Sequence, residues 1–200
     1  METTPNDGAY ILRVDSCLTP RETVHNASVL CRNGLIEAVG SFDSLTALAE
    51  VPCIDMRGCQ AIPGLVDTHL HGSGGVAAMD ADQLDSLAPI SQLLARHGVT
   101  SFVCTILSAK EDKMLRVAEA LGALSENEMP GAVPLGLHYE GPYLRVEKRG
   151  AQRERYIRPI DLGEARELLQ AGKGTVRMMT LAPELENSEK LIEMLLEHNA

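Results

Sequence analysis

Strand-like and helix-like segments alternate from residue 65 to residue 200, and this alternation constrains the fold more than any other feature. The run Thr100–Ile106 is β-branched and almost wholly apolar, as is typical of a parallel strand buried on both faces by helices. The predicted strands are Leu65–His69, Thr100–Ile106, Val133–His138 and Thr175–Leu181. The predicted helices are Asp82–Arg96, Lys110–Leu124, one ending at Ala171, and Glu189–Glu197. Since a closed barrel of eight units needs about 250 residues, we predict an α/β fold: a partial (β/α)8, TIM-like barrel of about the first four βα units.

The first 62 residues carry strand signals and little helical periodicity, which predicts a small β domain at 1–62 and the barrel half at 63–200. Asn33-Gly34 between two apolar runs predicts a hairpin with a type I′ turn. Residues 53–62 predict a further strand pair around Gly58. In the barrel half, Ser108 and Ser188 are the predicted caps of the helices that follow them.

Composition excludes several classes of function. A net charge of -10 disfavours nucleic acid and anionic membranes as partners, and no segment has the length or composition of a membrane span or signal peptide. The five cysteines form no Cys-x-x-Cys pair, which indicates reduced thiols in a cytoplasmic protein.

Two histidines, His69 and His71, stand at the end of the first predicted barrel strand, before the glycine-rich turn 72–75. Residues i and i+2 of a strand point to the same side, so the two imidazoles can chelate one divalent metal. The alternative is a pair of ordinary loop histidines. His25 and His198 look like surface residues.

Glu140 ends the third predicted barrel strand, because Gly141-Pro142 stops the ladder. The carboxyl ends of barrel strands share one rim, where Glu140 could complete a metal site with His69 and His71 or bridge two metals. The alternative to a metal-binding role for Glu140 is an ion pair with a neighbouring arginine. His138 shares its face one layer deeper and is interpreted as a hydrogen-bonded interior histidine; Thr105 and Ser108 could reach the same rim.

Residues 145–158 contradict the overall charge of the chain, with six basic residues against two acidic ones. A cationic loop on the metal rim suits an anionic substrate, such as a phosphorylated one. A solvated loop whose arginines pair with acidic neighbours is the equal alternative.

Four stretches carry a family resemblance: PGLVDTHLHG at 63–72, HGVTSFVCTILSA at 97–109, LGLHYEGPYLRVEKRGAQ at 135–152 and MTLAPE at 179–184. The chain resembles the amidohydrolase superfamily and, within it, the N-acetylglucosamine-6-phosphate deacetylase family. The resemblance implies that the N-terminal β domain is of the β-sandwich type. It also implies metal-dependent hydrolysis of N-acetylglucosamine 6-phosphate to glucosamine 6-phosphate and acetate.

The resemblance further implies roles for individual residues. His69, His71 and Glu140 match metal ligands for one or two divalent ions, and histidine with carboxylate suits zinc, iron, manganese or cobalt. Ala151 and Gln152 match a pair that contacts the sugar, although the family usually has histidine at the second position. The charge of the loop 145–158, rather than the resemblance, makes Arg149 and Arg153 the candidate contacts to the phosphate.

Three expectations concern what lies outside these motifs. The proton-transferring aspartate and two further metal-binding histidines of the family are expected beyond residue 200, so the 200-residue chain alone is expected to be inactive. For the full-length form we expect a cytoplasmic homo-oligomer. The alternatives are a truncated, inactive product or a subunit completed by a second chain, and another amidohydrolase such as a dihydroorotase or a nucleobase deaminase.

Overall fold

The structure, a computed structural model, describes residues 8–45, 51–81, 84–122 and 129–200. The chain divides into two compact units, Met1–Pro63 and Gly64–Ala200. No helix in the described ranges is long and apolar enough to cross a membrane.

The first unit contains one four-stranded sheet in the order β3-β2-β1-β4. Its elements are β1 (Tyr10–Leu18), β2 (Thr23–Arg32), β3 (Leu35–Ser41), the one-turn helix α1 (Phe42–Leu45) and β4 (Cys53–Ala61). Strand β1 pairs antiparallel with β2 and parallel with β4. Val14, Ala27 and Val29 are buried on one side of this sheet.

Two turn predictions in this unit have different outcomes. Asn33 and Gly34 both have positive φ, at 51° and 75°, so the predicted hairpin between β2 and β3 is confirmed. The strand pair predicted around Gly58 is wrong, because β4 runs through this residue as one strand. Gly58 takes a φ of 90° where the pairing with β1 shifts register, so the glycine makes an irregularity in the ladder rather than a turn.

The second unit is built on a parallel sheet in the order β10-β9-β8-β5. Its strands are β5 (Leu65–Leu70), the short pair β6 (Gly72–Ser73) and β7 (Val76–Ala77), β8 (Val99–Leu107), β9 (Val133–Glu140) and β10 (Val176–Thr180). Its α-helices are α2 (Ala88–Arg96), α3 (Glu111–Leu121), α4 (Leu162–Ala171) and α5 (Ser188–Glu197). Short 3-10 helices cover Ala78–Asp80, Leu84–Leu87, Val146–Lys148 and Glu154–Tyr156.

This alternation of parallel strands and helices confirms the predicted fold class and all four predicted barrel strands. The helices also lie where they were predicted, although residues 82–83 and 123–124 of those predictions lie outside the described part. Neither serine caps its helix: Lys110 and Asn187 occupy the capping positions, and Asp161 caps α4 by accepting from Gly163 N and Glu164 N. Ser188 instead donates to the carbonyl of Pro183 at 2.5 Å.

The core of this unit lies between the sheet and its helices. On the two central strands, Phe102, Ile106 and Tyr139 face the helices and are fully buried. The residues between them face the other side, where register pairs Thr105 with His138 and Leu107 with Glu140. Because all four strands are parallel, β5, β8, β9 and β10 end at the same edge, and that edge carries the candidate site.

Candidate metal centre

The end of β5 brings the two predicted histidine ligands together. The Nε2 atoms of His69 and His71 lie 3.1 Å apart, and their ring centroids are 4.9 Å apart. Asp67 Oδ1 accepts from His69 N at 3.1 Å, and Thr105 Oγ1 accepts from Leu70 N at 3.0 Å. The ladder between β5 and β8 is irregular at these residues, so side chains hold backbone groups that the ladder leaves unpaired.

Glu140 completes the cluster from β9. Its Oε2 atom lies 3.5 Å from His69 Nε2 and 3.2 Å from His71 Nε2. The predicted ligands therefore all meet, each offering one atom within 4.8 Å of the others. A tetrahedral ion with ligands at about 2.0–2.1 Å separates those ligands by about 3.3 Å, which is close to the spacing here. The residues present fit a divalent metal in donor type and in spacing.

The cluster also has a feature that a cation would relieve. Two imidazole nitrogens 3.1 Å apart repel each other if both present a lone pair, so a proton or a metal ion must lie between them. Proteins bind divalent metals with imidazole and carboxylate donors that converge on one point, as the donors of this cluster do.

His138 lies behind the cluster and is fully buried, as the sequence predicts for an interior histidine. Its Nδ1 lies 3.2 Å from Thr105 Oγ1, and its Nε2 lies 2.8 Å from Thr180 Oγ1. Both ring nitrogens of His138 thus have a hydroxyl partner, and the tautomer of the imidazole decides which threonine donates and which accepts. Burial, together with repulsion from His69 and His71, lowers the pKa of His138 to about 4 and keeps it neutral.

A cavity of about 430 Å³ opens beside the cluster. His71 and Glu140 line it together with Ala151, Gln152 and Arg153. The predicted substrate contact Arg149 does not line this cavity: its guanidinium donates to Val146 O at 2.9 Å and lies 3.7 Å from Glu154.

The structure supports each interpretation of the basic segment 145–158, anion binding and pairing with acidic neighbours, for different residues. Arg145 and Arg158 pair with acidic residues, Arg158 with both oxygens of the buried Glu164. Arg153 forms no ion pair within the described ranges, and it lines the cavity beside the cluster. Of the five arginines in this segment, Arg145, Arg149 and Arg158 are paired with acidic residues. Arg155 lies over the ring of Tyr156, and Arg153 is the candidate for binding an anion.

Among the polar groups behind the ligands, the sequence predicts the place of His138, Thr105 and Ser108 but not that of Thr180. Thr180 received no role, although the stretch MTLAPE that contains it was singled out. For Ser108 the sequence gives two predictions, a helix cap and a place at this rim. The second agrees with the structure, since Ser108 Oγ donates to the carbonyl oxygen of Glu140 at 3.2 Å. The parallel register could have indicated the place of Thr180, because Thr180 is paired with Glu140.

Comparison with known proteins gives one family and several similar proteins. The model of the amidohydrolase family matches residues 61–200. N-acetylglucosamine-6-phosphate deacetylase of Bacillus subtilis (strain 168) is 34% identical over 137 residues, covering 67% of this chain and 34% of the relative. N-acetylgalactosamine-6-phosphate deacetylase of Escherichia coli O157:H7 is 29% identical over 192 residues, covering 95% of this chain and 48% of the relative.

A solved structure is similar over almost the whole chain. It is a variant N-acetyl-D-glucosamine-6-phosphate deacetylase of Mycobacterium smegmatis in complex with N-acetyl-D-glucosamine-6-phosphate. The identity is 30%, the TM-score is 0.83, and the match covers 96% of this chain and 48% of the solved one. The chain thus spans about half the length, or less, of the proteins that it matches.

Proposed function

The chain belongs to the amidohydrolase family, and from this premise we propose that the protein hydrolyses N-acetylglucosamine 6-phosphate to glucosamine 6-phosphate and acetate. Members of the family generally depend on divalent metal ions, and this chain has a possible site for one. The observation that carries the proposal is the meeting of His69, His71 and Glu140 beside a cavity that Arg153 also lines.

In this proposal His69, His71 and Glu140 hold one ion of zinc, iron, manganese or cobalt. A divalent ion there supplies Lewis-acid polarisation of the acetamide carbonyl and activation of water. Glu140 directs Oε2 at the histidines and would hold the ion together with them.

The cavity residues provide the binding of the substrate. Arg153 brings a guanidinium, which suits a phosphate because its donors can pair with two oxygens at once. Ala151 lines the same cavity. Free thiols at all five cysteines support a cytoplasmic location, and the homo-oligomeric state stays a prediction that light scattering of the purified protein can test.

The test is acetate release by the natural polypeptide that carries this sequence, loaded with zinc. We expect hydrolysis of N-acetylglucosamine 6-phosphate, with little hydrolysis of N-acetylglucosamine. The 4-epimer, N-acetylgalactosamine 6-phosphate, is the comparison substrate because a relative of this chain is named for it. Turnover of dihydroorotate or of a nucleobase, without turnover of either sugar phosphate, would refute the proposal.

The role of Arg153 has a matched control in Arg149, a neighbouring arginine that does not line the cavity. Arg153→Gln should raise the KM for the phosphorylated sugar about 10-fold or more, since a charge-assisted hydrogen bond contributes about 1.5–3 kcal/mol. Arg149→Gln should leave that KM within about 2-fold. Equal effects of the two substitutions would assign Arg153 to the solvated surface.

A further inference from the structure

The side chain of Gln152 connects the ends of two strands. Its Oε1 accepts from Ser108 N at 3.0 Å, just after β8, and its Nε2 donates to Glu140 O at 3.1 Å, at the end of β9. These partners fix the orientation of the amide, because a backbone N–H can only donate and a carbonyl can only accept. The residue is 7% exposed although it lines the cavity, so most of its side chain is shielded from water.

Glu140 receives a second side-chain hydrogen bond at the same carbonyl oxygen. Ser108 Oγ donates to it at 3.2 Å, so Ser108 and Gln152 together occupy its two lone pairs. Beyond Glu140 the chain leaves the strand through Gly141, which has a φ of 90°. The backbone of Glu140 is thus held by Ser108 and Gln152 where regular pairing ends.

We infer that Gln152 is a positioning residue, which sets the carboxylate of Glu140 against His69 and His71 for metal binding. The inference rests on the proposed metal centre. Metal sites tolerate ligand displacements of about 0.2 Å, so a small shift of this backbone carries Oε2 out of range of the histidines. The amide of Gln152 offers an acceptor to Ser108 N and a donor to Glu140 O from one planar group.

This assignment differs from the sugar contact that the sequence resemblance implies for position 152. The amide already has partners at both ends within the protein. Removing a residue that orients a metal ligand typically weakens metal binding by about 10–100-fold. A residue that contacts only the substrate has no such effect on the metal.

The test titrates Co²⁺ into the metal-free chain and follows both the affinity and the visible d–d absorption band. Gln152→Met removes both hydrogen bonds, and we expect its Kd for Co²⁺ to rise about 10–100-fold with a changed band. Gln152→Glu keeps the acceptor for Ser108 N but has no donor for Glu140 O at neutral pH, so it should weaken binding as well. The matched control is Gln170→Met, which makes the same change at an exposed position of α4.

The outcomes separate the two proposals. Absence of Co²⁺ binding by the unsubstituted chain would refute the metal centre itself. Binding by that chain with an unchanged Kd and band in both Gln152 variants would refute the positioning role, even if the variants melt at a lower temperature. If Gln152→Met does not fold, as circular dichroism will show, the isosteric Gln152→Glu decides the question by the same criteria.

Discussion

Replacing Thr105 by valine removes one hydroxyl from behind the candidate site while keeping the shape of the side chain. Thr105 is fully buried, and its Oγ1 serves both Leu70 N at 3.0 Å and His138 Nδ1 at 3.2 Å. The substitution leaves two groups without this partner, His138 Nδ1 and Leu70 N. A fully buried polar group without a partner costs about 1–3 kcal/mol, and Leu70 N costs less because it is only partly buried. We therefore expect Thr105→Val to lower the free energy of unfolding by about 2–4 kcal/mol.

The assay is urea unfolding of the metal-free protein followed by circular dichroism, since the chain has no tryptophan. Thr105→Ser is the control, because it keeps the hydroxyl and loses one methyl group, at a cost of about 1 kcal/mol. Co²⁺ affinity should fall in the valine variant alone, since Leu70 lies between the two histidine ligands. Equal losses of stability in the two variants would refute the argument that these hydrogen bonds hold the end of β5.

Two further predictions follow from burial in the structure. Burial raises the pKa of the Cys104 thiol to about 12. Iodoacetamide at neutral pH should therefore label the exposed Cys53 and Cys59 and spare Cys104, as peptide mass spectrometry will show. Early labelling of Cys104 would contradict its burial. Glu164→Gln leaves the guanidinium of Arg158 without its counter-ion. Because the Arg158 side chain is 26% exposed and water screens part of the effect, we expect the free energy of unfolding in urea to fall by about 2–3 kcal/mol. An unchanged free energy of unfolding would show that the pair does not stabilise the fold.

The sequence predicts well where local pattern and topology agree. Parallel strands must end at one edge, and therefore the motif at His69 and His71 and the glutamate at Glu140 could be brought together without any structure. The hairpin at Asn33-Gly34 follows equally directly, because positive φ at two successive residues is the requirement of its turn.

The sequence predicts poorly where a side chain has a choice of partners. Ser108 carries a helix-cap signal, yet its hydroxyl bonds to Glu140, a residue 32 positions away. Arg158 reads as one more charge in a basic loop, but it pairs with Glu164 on the next helix. Gln152 could be interpreted only by resemblance, and its two hydrogen bonds to the ends of β8 and β9 are visible only in three dimensions. These contacts depend on tertiary packing, which no local pattern encodes.

The most direct test of the account is the zinc content of the purified chain by elemental analysis after dialysis. The unsubstituted chain should retain one or two equivalents of zinc, and the double variant His69→Ala with His71→Ala should retain almost none. His25→Ala with His198→Ala is the matched control, because it removes two exposed histidines that are not part of the cluster and should leave the zinc content unchanged. Equal zinc in all three proteins would contradict the claim that His69, His71 and Glu140 form a metal centre.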